Sequence, residues 1–317
     1  MENLQGLGRS ASLSWLSWIV GFREWLTSRS SGVSSFSWRE CPAHNQPENM
    51  KRREFLKTSI AASALAGLGP AGARSATAQP LTGGAGREYY ELRAYRFKEG
   101  AGHELLEAYL EKAAIPALNR LGLKPIGVFT ELEPKGPPSV YVLIPYPSIE
   151  SFATAASRMN ADPAYQQAGA DYLQTPKSNP AFERIDSWLM LAFAGQPKLE
   201  LAPYSLEKKP RIFELRSYQS YSEVKALKKV EMFNSGEIEV MHEVGLAPVF
   251  YGQVLVGKDL PHLTYMLSAE DRAAHDGHFA AFGKHPTWNR LKNDPQYADT
   301  VSKVSNWFLA PAPCSQV

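Results

Sequence analysis

The sequence predicts an α+β protein built from two tandem copies of one unit, and three observations carry that prediction. First, ELRAY at Glu91–Tyr95 returns as ELRSY at Glu214–Tyr218, 123 positions on (214 less 91). Second, other pairs keep that spacing. Gly122-Leu123-Lys124-Pro125 matches Gly245-Leu246-Ala247-Pro248, Pro138 matches Pro261, and Asp162-Pro163-Ala164-Tyr165 matches His285-Pro286-Thr287-Trp288. A constant offset over so many positions marks an internal duplication. Only the last pair slips, Trp188 with Trp307, at 119 positions (307 less 188). Third, the hydrophobic periodicities follow the same order in each copy, β-α-β-β-α-β.

The elements follow in chain order. YYELRAYRF and RIFELRSYQ alternate and read as strands. A helix follows in each copy. Its apolar positions are Leu106, Leu110, Ala113, Ala114, Leu118 and Leu121 in the first, and Val224, Leu227, Val230, Ile238, Met241 and Val244 in the second. Pro116 interrupts the first helix, and Asn234 with Glu237 three residues on predicts a restart behind an N-cap in the second. After the Gly-Leu-x-Pro break, β-branched and aromatic runs at 126–131 and 140–145, and at 249–256 and 263–267, predict paired strands. A second helix spans 148–159 and 270–282, and a short strand carrying the tryptophan ends each copy. This is the ferredoxin-like unit, with helices on one face of a four-stranded antiparallel sheet. The other face is bare, so two tandem ferredoxin-like units are expected to close into an intramolecular barrel of the dimeric α/β kind.

The predicted boundaries are 88–195 and 211–312 for the two domains, with a proline- and lysine-bearing linker at 196–210 and a tail at 313–317. Residues 79–87, with TGGAG, form a flexible linker. Residues 50–78 have the layout of an export signal: a basic start, an apolar stretch from Ile60 to Leu68, and a small-residue end at Ala76-Thr77-Ala78. RREFLK at Arg52–Lys57 resembles the bacterial twin-arginine signal, which is read by a receptor rather than acting as an anchor. The expected partner of that segment is the twin-arginine export machinery, and the expected location is periplasmic or secreted. Residues 1–49, rich in Ser, Trp and Arg, are expected to be a disordered extension upstream of the true start at Met50, with a membrane-surface segment as the alternative.

The 317 residues are 44% apolar and 21% charged, with a net charge of +2, which leaves no electrostatic footprint for nucleic acid. No run of 18 apolar residues exists, so the mature chain is not expected to span a membrane. Cys41 and Cys314 form no disulfide or zinc pattern.

The sequence resembles the NIPSNAP family through ELRSY, VGLAPVFYGQVLVG from Val244, LTYML from Leu263 and HPTWNRLKNDPQYADTVSKVSNWFLAP from His285. Both copies carry the resemblance, across about 88–311, the second more closely. The family is allied to the dimeric α/β-barrel group, and the resemblance implies that fold. Related barrels include cofactor-independent monooxygenases and haem-handling enzymes, an analogy of fold alone.

Strand alternation puts Glu91, Arg93 and Tyr95 on one face, and likewise Glu214, Arg216 and Tyr218. Leu92 and Leu215 then read as helix-facing core, and the Glu-Arg-Tyr face as the barrel interior. Two readings stand side by side. The triplets are ion pairs that register the two halves, or they line a polar cavity whose arginines bind an anionic or carbonyl-bearing small molecule. Tyr165, Trp188, Trp288 and Trp307 are core aromatics or pocket walls. His275 and His278, at i and i+3 with His285 beyond, are where a metal or an axial haem ligand would sit. Copy one has Phe152, Ala155 and Asp162 there, and no cofactor is predicted. No GxSxG or GxGxxG motif is present. The expected function is a ligand-binding or interaction module that uses the barrel interior, with a cofactor-independent monooxygenase or haem-handling enzyme as the alternative.

Overall fold

The computed structural model describes residues 86–98, 103–134 and 136–317. The expected signal and the upstream extension lie outside them. The first half runs β1 (Tyr89–Arg96), α1 (Glu104–Tyr109), a π-helical turn (Leu110–Ala114), α2 (Ile115–Arg120), β2 (Gly127–Glu131) and β3 (Ser139–Tyr146). It continues through α3 (Ile149–Asn160), α4 (Pro163–Ala168) and α5 (Ala170–Leu173) to β4 (Arg184–Ala192). After α6 (Pro203–Leu206) in the linker, the second half repeats the plan. Its elements are β5 (Ile212–Gln219), α7 (Glu223–Met232), a π-helical turn (Phe233–Glu237), α8 (Ile238–Glu243), β6 (Pro248–Val256), β7 (His262–Ala269), α9 (Arg272–Lys284), α10 (Pro286–Lys292) and β8 (Lys303–Pro311).

The eight strands close into one barrel in the order β1-β3-β2-β8-β5-β7-β6-β4. Each half contributes four adjacent strands, and the seams are β2 with β8 and β4 with β6. Every pairing is antiparallel, so β1 and β5 run the same way and repeated positions lie at the same end. Closure removes every sheet edge and buries the two bare faces against each other.

Three cores result. One lies between the first sheet and its helices (Leu106, Tyr109, Leu118, Val142, Tyr146), and a second repeats it in the other half (Phe233, Val240, Met241, Tyr251, Tyr265). The third mixes residues of both halves and is therefore the barrel interior: Tyr90, Leu92, Phe129, Leu143, Met190, Phe213, Leu215, Phe250 and Met266.

That third core reverses the expected orientation of the repeated motif. Leu92 and Leu215 point into the barrel, while Tyr95 and Tyr218 pack in the two helix-side cores. The Glu-Arg-Tyr faces therefore lie beneath the helices on opposite sides of the molecule, and the barrel centre is packed with apolar side chains. The reason is that both faces of these strands are buried, one by the other half and one by helices. Alternation shows which residues share a face and leaves open which way it turns.

The long helix also departs from expectation. Asn234 does not cap a restart. It sits inside the π-helical turn, its amide donating to the Val230 carbonyl at 3.0 Å and its side-chain oxygen accepting from Gly195 N–H at 2.8 Å. Gly236, at φ 130°, takes up the wide turn in a conformation that favours glycine. In the first half Pro116 does not interrupt the helix: it lies just past the π-helical turn, and the helical backbone runs on without a break into α2.

The two ends of the barrel differ. Where β1 and β5 begin, the linker residues Leu199 and Leu201 and the tail residue Val317 pack onto the interior core. The tail is held by Ser315 Oγ accepting from Val128 N–H at 3.0 Å, by Gln316 N–H donating to the Ile126 carbonyl at 2.8 Å, and by Arg211 donating to Val317 O at 2.7 Å. The linker and tail thus close the barrel instead of trailing from it. Placing a charge there should open it: Val317→Asp is expected to lower Tm by about 5–10 °C in thermal unfolding. At the other end Trp188 and Trp307 are only half-buried.

Candidate functional site

The first polar cluster is built on β1. Glu91, 5% exposed, accepts from Arg93 Nε at 2.7 Å and Nη2 at 2.9 Å, from Tyr146 OH at 2.9 Å and from Ser187 Oγ at 3.0 Å. Burial would raise its carboxyl, but Arg93, Tyr146 and Ser187 outweigh burial and hold it below the usual range. The Arg93 side chain stays 32% exposed. Beside it lies an aromatic group in which the Tyr109 and Tyr165 hydroxyls meet at 2.8 Å and the Tyr109 and Tyr172 rings stack at 3.8 Å.

The second cluster is built on β5 and is more elaborate. Glu214, 1% exposed, accepts from Arg216 Nη1 at 2.6 Å and Asn306 Nδ2 at 2.8 Å, and its other oxygen lies 2.9 Å from His275 Nε2. His275 Nδ1 lies 2.9 Å from Asp276. Burial opposes the charge on both groups, yet their mutual contact, with Arg216 and Asn306 on one side and Asp276 on the other, holds Glu214 down and His275 up. Arg216 Nε donates to Tyr218 OH at 3.3 Å, and that hydroxyl meets Tyr265 OH at 2.8 Å. The guanidinium also lies 5.1 Å from the Phe279 ring centre.

Next to this chain, Lys229 Nζ donates to Glu237 at 2.7 Å, with both side chains almost fully buried. The ammonium faces the Phe233, Trp288 and Tyr218 rings at 4.6, 5.4 and 5.7 Å. Burial pushes the Glu237 carboxyl up, more than Lys229 pulls it down. The π-helical turn brings these two groups together, since it ends at Glu237 and begins just past Met232.

Each half therefore keeps its own Glu-Arg-Tyr triplet, and the two triplets do not share a site. Trp188 and Trp307 pair in register with Leu92 and Leu215, which puts them inside the barrel and apart from both triplets. Tyr165 and Trp288 belong to the helix-side cores. The histidines separate as well. His275 serves Glu214, His285 caps α10 by accepting from Thr287 N–H at 3.2 Å, and His278 packs against Gly245. Among the described residues no group of three or more His, Cys, Asp or Glu converges on one point. Both ring nitrogens of His275 are engaged, so this arrangement does not fit an axial haem ligand.

Sequence reasoning passed over Lys229 and read Glu237 only as a helix-capping partner of Asn234, although a signal was present. At the 123-residue offset they stand against Leu106 and Ala114, and His275 stands against Phe152. Charge in one copy where the other is apolar marks a place where the copies have diverged in role.

A family model described as NIPSNAP matches residues 90–190 and again residues 213–316. The chain belongs to the NIPSNAP family. The two NIPSNAP matches coincide with β1–β4 and with β5–β8 plus the tail. No protein with a curated description matches the chain. In structure it is similar to a protein from Fusobacterium nucleatum described as a candidate monooxygenase (10% identity, 71% of this chain and 92% of that one, TM-score 0.48). A second candidate monooxygenase, from Lactobacillus acidophilus, is similar at 7% identity over 71% of this chain and 94% of that one, TM-score 0.48. An uncharacterised NIPSNAP-like domain protein from Burkholderia xenovorans is similar at 19% identity over 32% of this chain and 86% of that one, TM-score 0.29.

Proposed function

We propose that this NIPSNAP protein binds a small anionic or carbonyl-bearing molecule between sheet and helices of its second half, with Arg216 as the anchoring group. The observation that carries this reading is the divergence of the halves. Leu106, Ala114 and Phe152 fill the first half's positions with apolar atoms, while the second half buries Lys229, Glu237 and His275 at the equivalent places. Buried ion pairs are poor stabilisers compared with apolar packing of similar volume, so their presence supports a role beyond stability. Arg216 commits Nε and Nη1 to Tyr218 and Glu214, and Nη2 has no partner among the described residues. Its side chain is 18% exposed, so a donor remains for a ligand, flanked by Phe279 and Tyr218.

The test is a titration with benzoate and salicylate, read by tryptophan fluorescence and thermal shift. Arg216→Lys keeps the charge and removes the planar fork, and should weaken binding at least about tenfold. Equal affinity in wild type and Arg216→Lys would refute the anchoring role.

Export through the twin-arginine machinery is part of the same proposal. It is supported by RREFLK and by the small-residue end at Ala76-Thr77-Ala78. Folded-state export suits a barrel that each half needs the other to close. N-terminal sequencing of the protein from a periplasmic fraction should begin near Gln79, and residues preceding it would count against export.

A further inference from the structure

The end of the barrel where β1 and β5 finish is polar, unlike the rest of its interior. Ser217, two residues beyond Leu215 on the inner face, takes the place that Ala94 holds in the first half. Its hydroxyl lies 3.0 Å from His262 Nδ1, and His262 replaces Ser139 of the first half. The other ring nitrogen, Nε2, lies 3.0 Å from the Lys258 carbonyl oxygen. A carbonyl can only accept, so Nε2 carries the ring proton and Nδ1 presents its lone pair to Ser217. The serine must then donate, and its oxygen is left polarised. Thr264 Oγ1 stands farther from the same nitrogen, at 3.4 Å. His262 is 5% exposed, and its burial lowers its proton affinity, which keeps the ring in the neutral, basic form. Ser217 itself is only half-buried, and below it on the same inner face lie the half-buried rings of Trp188 and Trp307.

A hydroxyl aimed at a neutral imidazole whose far nitrogen is fixed by a carbonyl is the arrangement of an activated nucleophile. We propose that Ser217 is an acyl-accepting nucleophile with His262 as its general base, and that the site takes small activated esters whose apolar part rests on Trp188 and Trp307. Ser217 Oγ attacks the ester carbonyl carbon while its proton passes to His262 Nδ1. The tetrahedral intermediate then breaks its bond to the leaving alcohol, which departs with that proton. Water attacks the acyl-serine, its proton passing through the same imidazole to Oγ, and the carboxylic acid is released. This site lies on the opposite face of the sheet from the Arg216 cluster and stands or falls independently of it.

The probes are p-nitrophenyl acetate and phenylmethylsulfonyl fluoride, with the modified residue located by peptide mass mapping. Wild type should release p-nitrophenolate from the acetate and carry one lasting sulfonyl group on Ser217 after the fluoride, and Ser217→Ala should lose both while melting normally, since alanine already serves at position 94. His262→Gln should slow acylation about 100-fold or more, the usual share of a general base. Ser305→Ala is the companion control: Ser305 pairs with Ser217 across the strands, and among the described residues the His262 ring bonds to Ser217, Thr264 and Lys258 instead, so labelling should stay at the wild-type rate. No label on Ser217 in wild type, or an equal rate of labelling in His262→Gln, would overturn the proposal.

Discussion

Lys229→Met should cost about 3–5 kcal/mol of stability in chemical denaturation, because it leaves a buried carboxylate with no counterion. Glu237 is 1% exposed, and among the described residues its carboxylate accepts a hydrogen bond from Lys229 alone. The decisive companion is the double variant Lys229→Leu/Glu237→Ala, which installs the residues the first half uses at the same places. It removes both charges together, and should recover to within about 1–2 kcal/mol of wild type. Equal losses in the single and double variants would show that the pair is not coupled.

The single variant also carries a pH signature. With Lys229 gone, burial is opposed only by the charge of Arg216, and the Glu237 carboxyl stays above the ordinary 4.5. A group with a raised folded-state value binds its proton more readily folded than unfolded. Its neutral form is therefore tolerated in acid, and the penalty grows as pH rises from about 4.5 through the folded value. The gap between wild type and Lys229→Met should narrow in acid and widen toward neutrality.

The architecture was legible because duplication is a long-range signal. A common spacing supplied the element order, and that order leaves one sheet face needing a partner. The orientation of ELRAY and ELRSY was not legible, since either face could have turned inward. Charges were expected in the barrel because the helix side was read as purely apolar. The missing facts were tertiary: Tyr146, His275 and Asn306 reach Glu91 and Glu214 from elements 55, 61 and 92 residues away. No local pattern announces such partners. The histidines misled for a related reason, because i and i+3 spacing places two side chains near one side of a helix while packing assigns each its own neighbour. Lys229 was readable in principle, from its mismatch with Leu106 across the repeat.

Glu214→Ala should be about as damaging as Lys229→Met, at about 3–5 kcal/mol, because three donors lose one acceptor and the Arg216 charge loses its counterion. Its pH dependence follows from two shifts of opposite sense. Glu214 is held below its ordinary 4.5, so its contribution is present above about 4.5 and fades as pH falls through the folded value. His275 is held above its ordinary 6.5, so its contribution is complete below about 6.5 and fades as pH rises through the folded value. The contact between them therefore stabilises most in the window from 4.5 to 6.5, where both charges are present in either state. His275→Phe, the residue found at 152, isolates this term without opening a cavity. Subtracting its denaturation free energy from that of wild type, pH by pH, should give a curve that peaks in that window and declines on both sides. A flat difference would show that His275 is held neutral and contributes packing alone. In that case the chain from Asp276 to Arg216 would bring no added charge to the proposed ligand site.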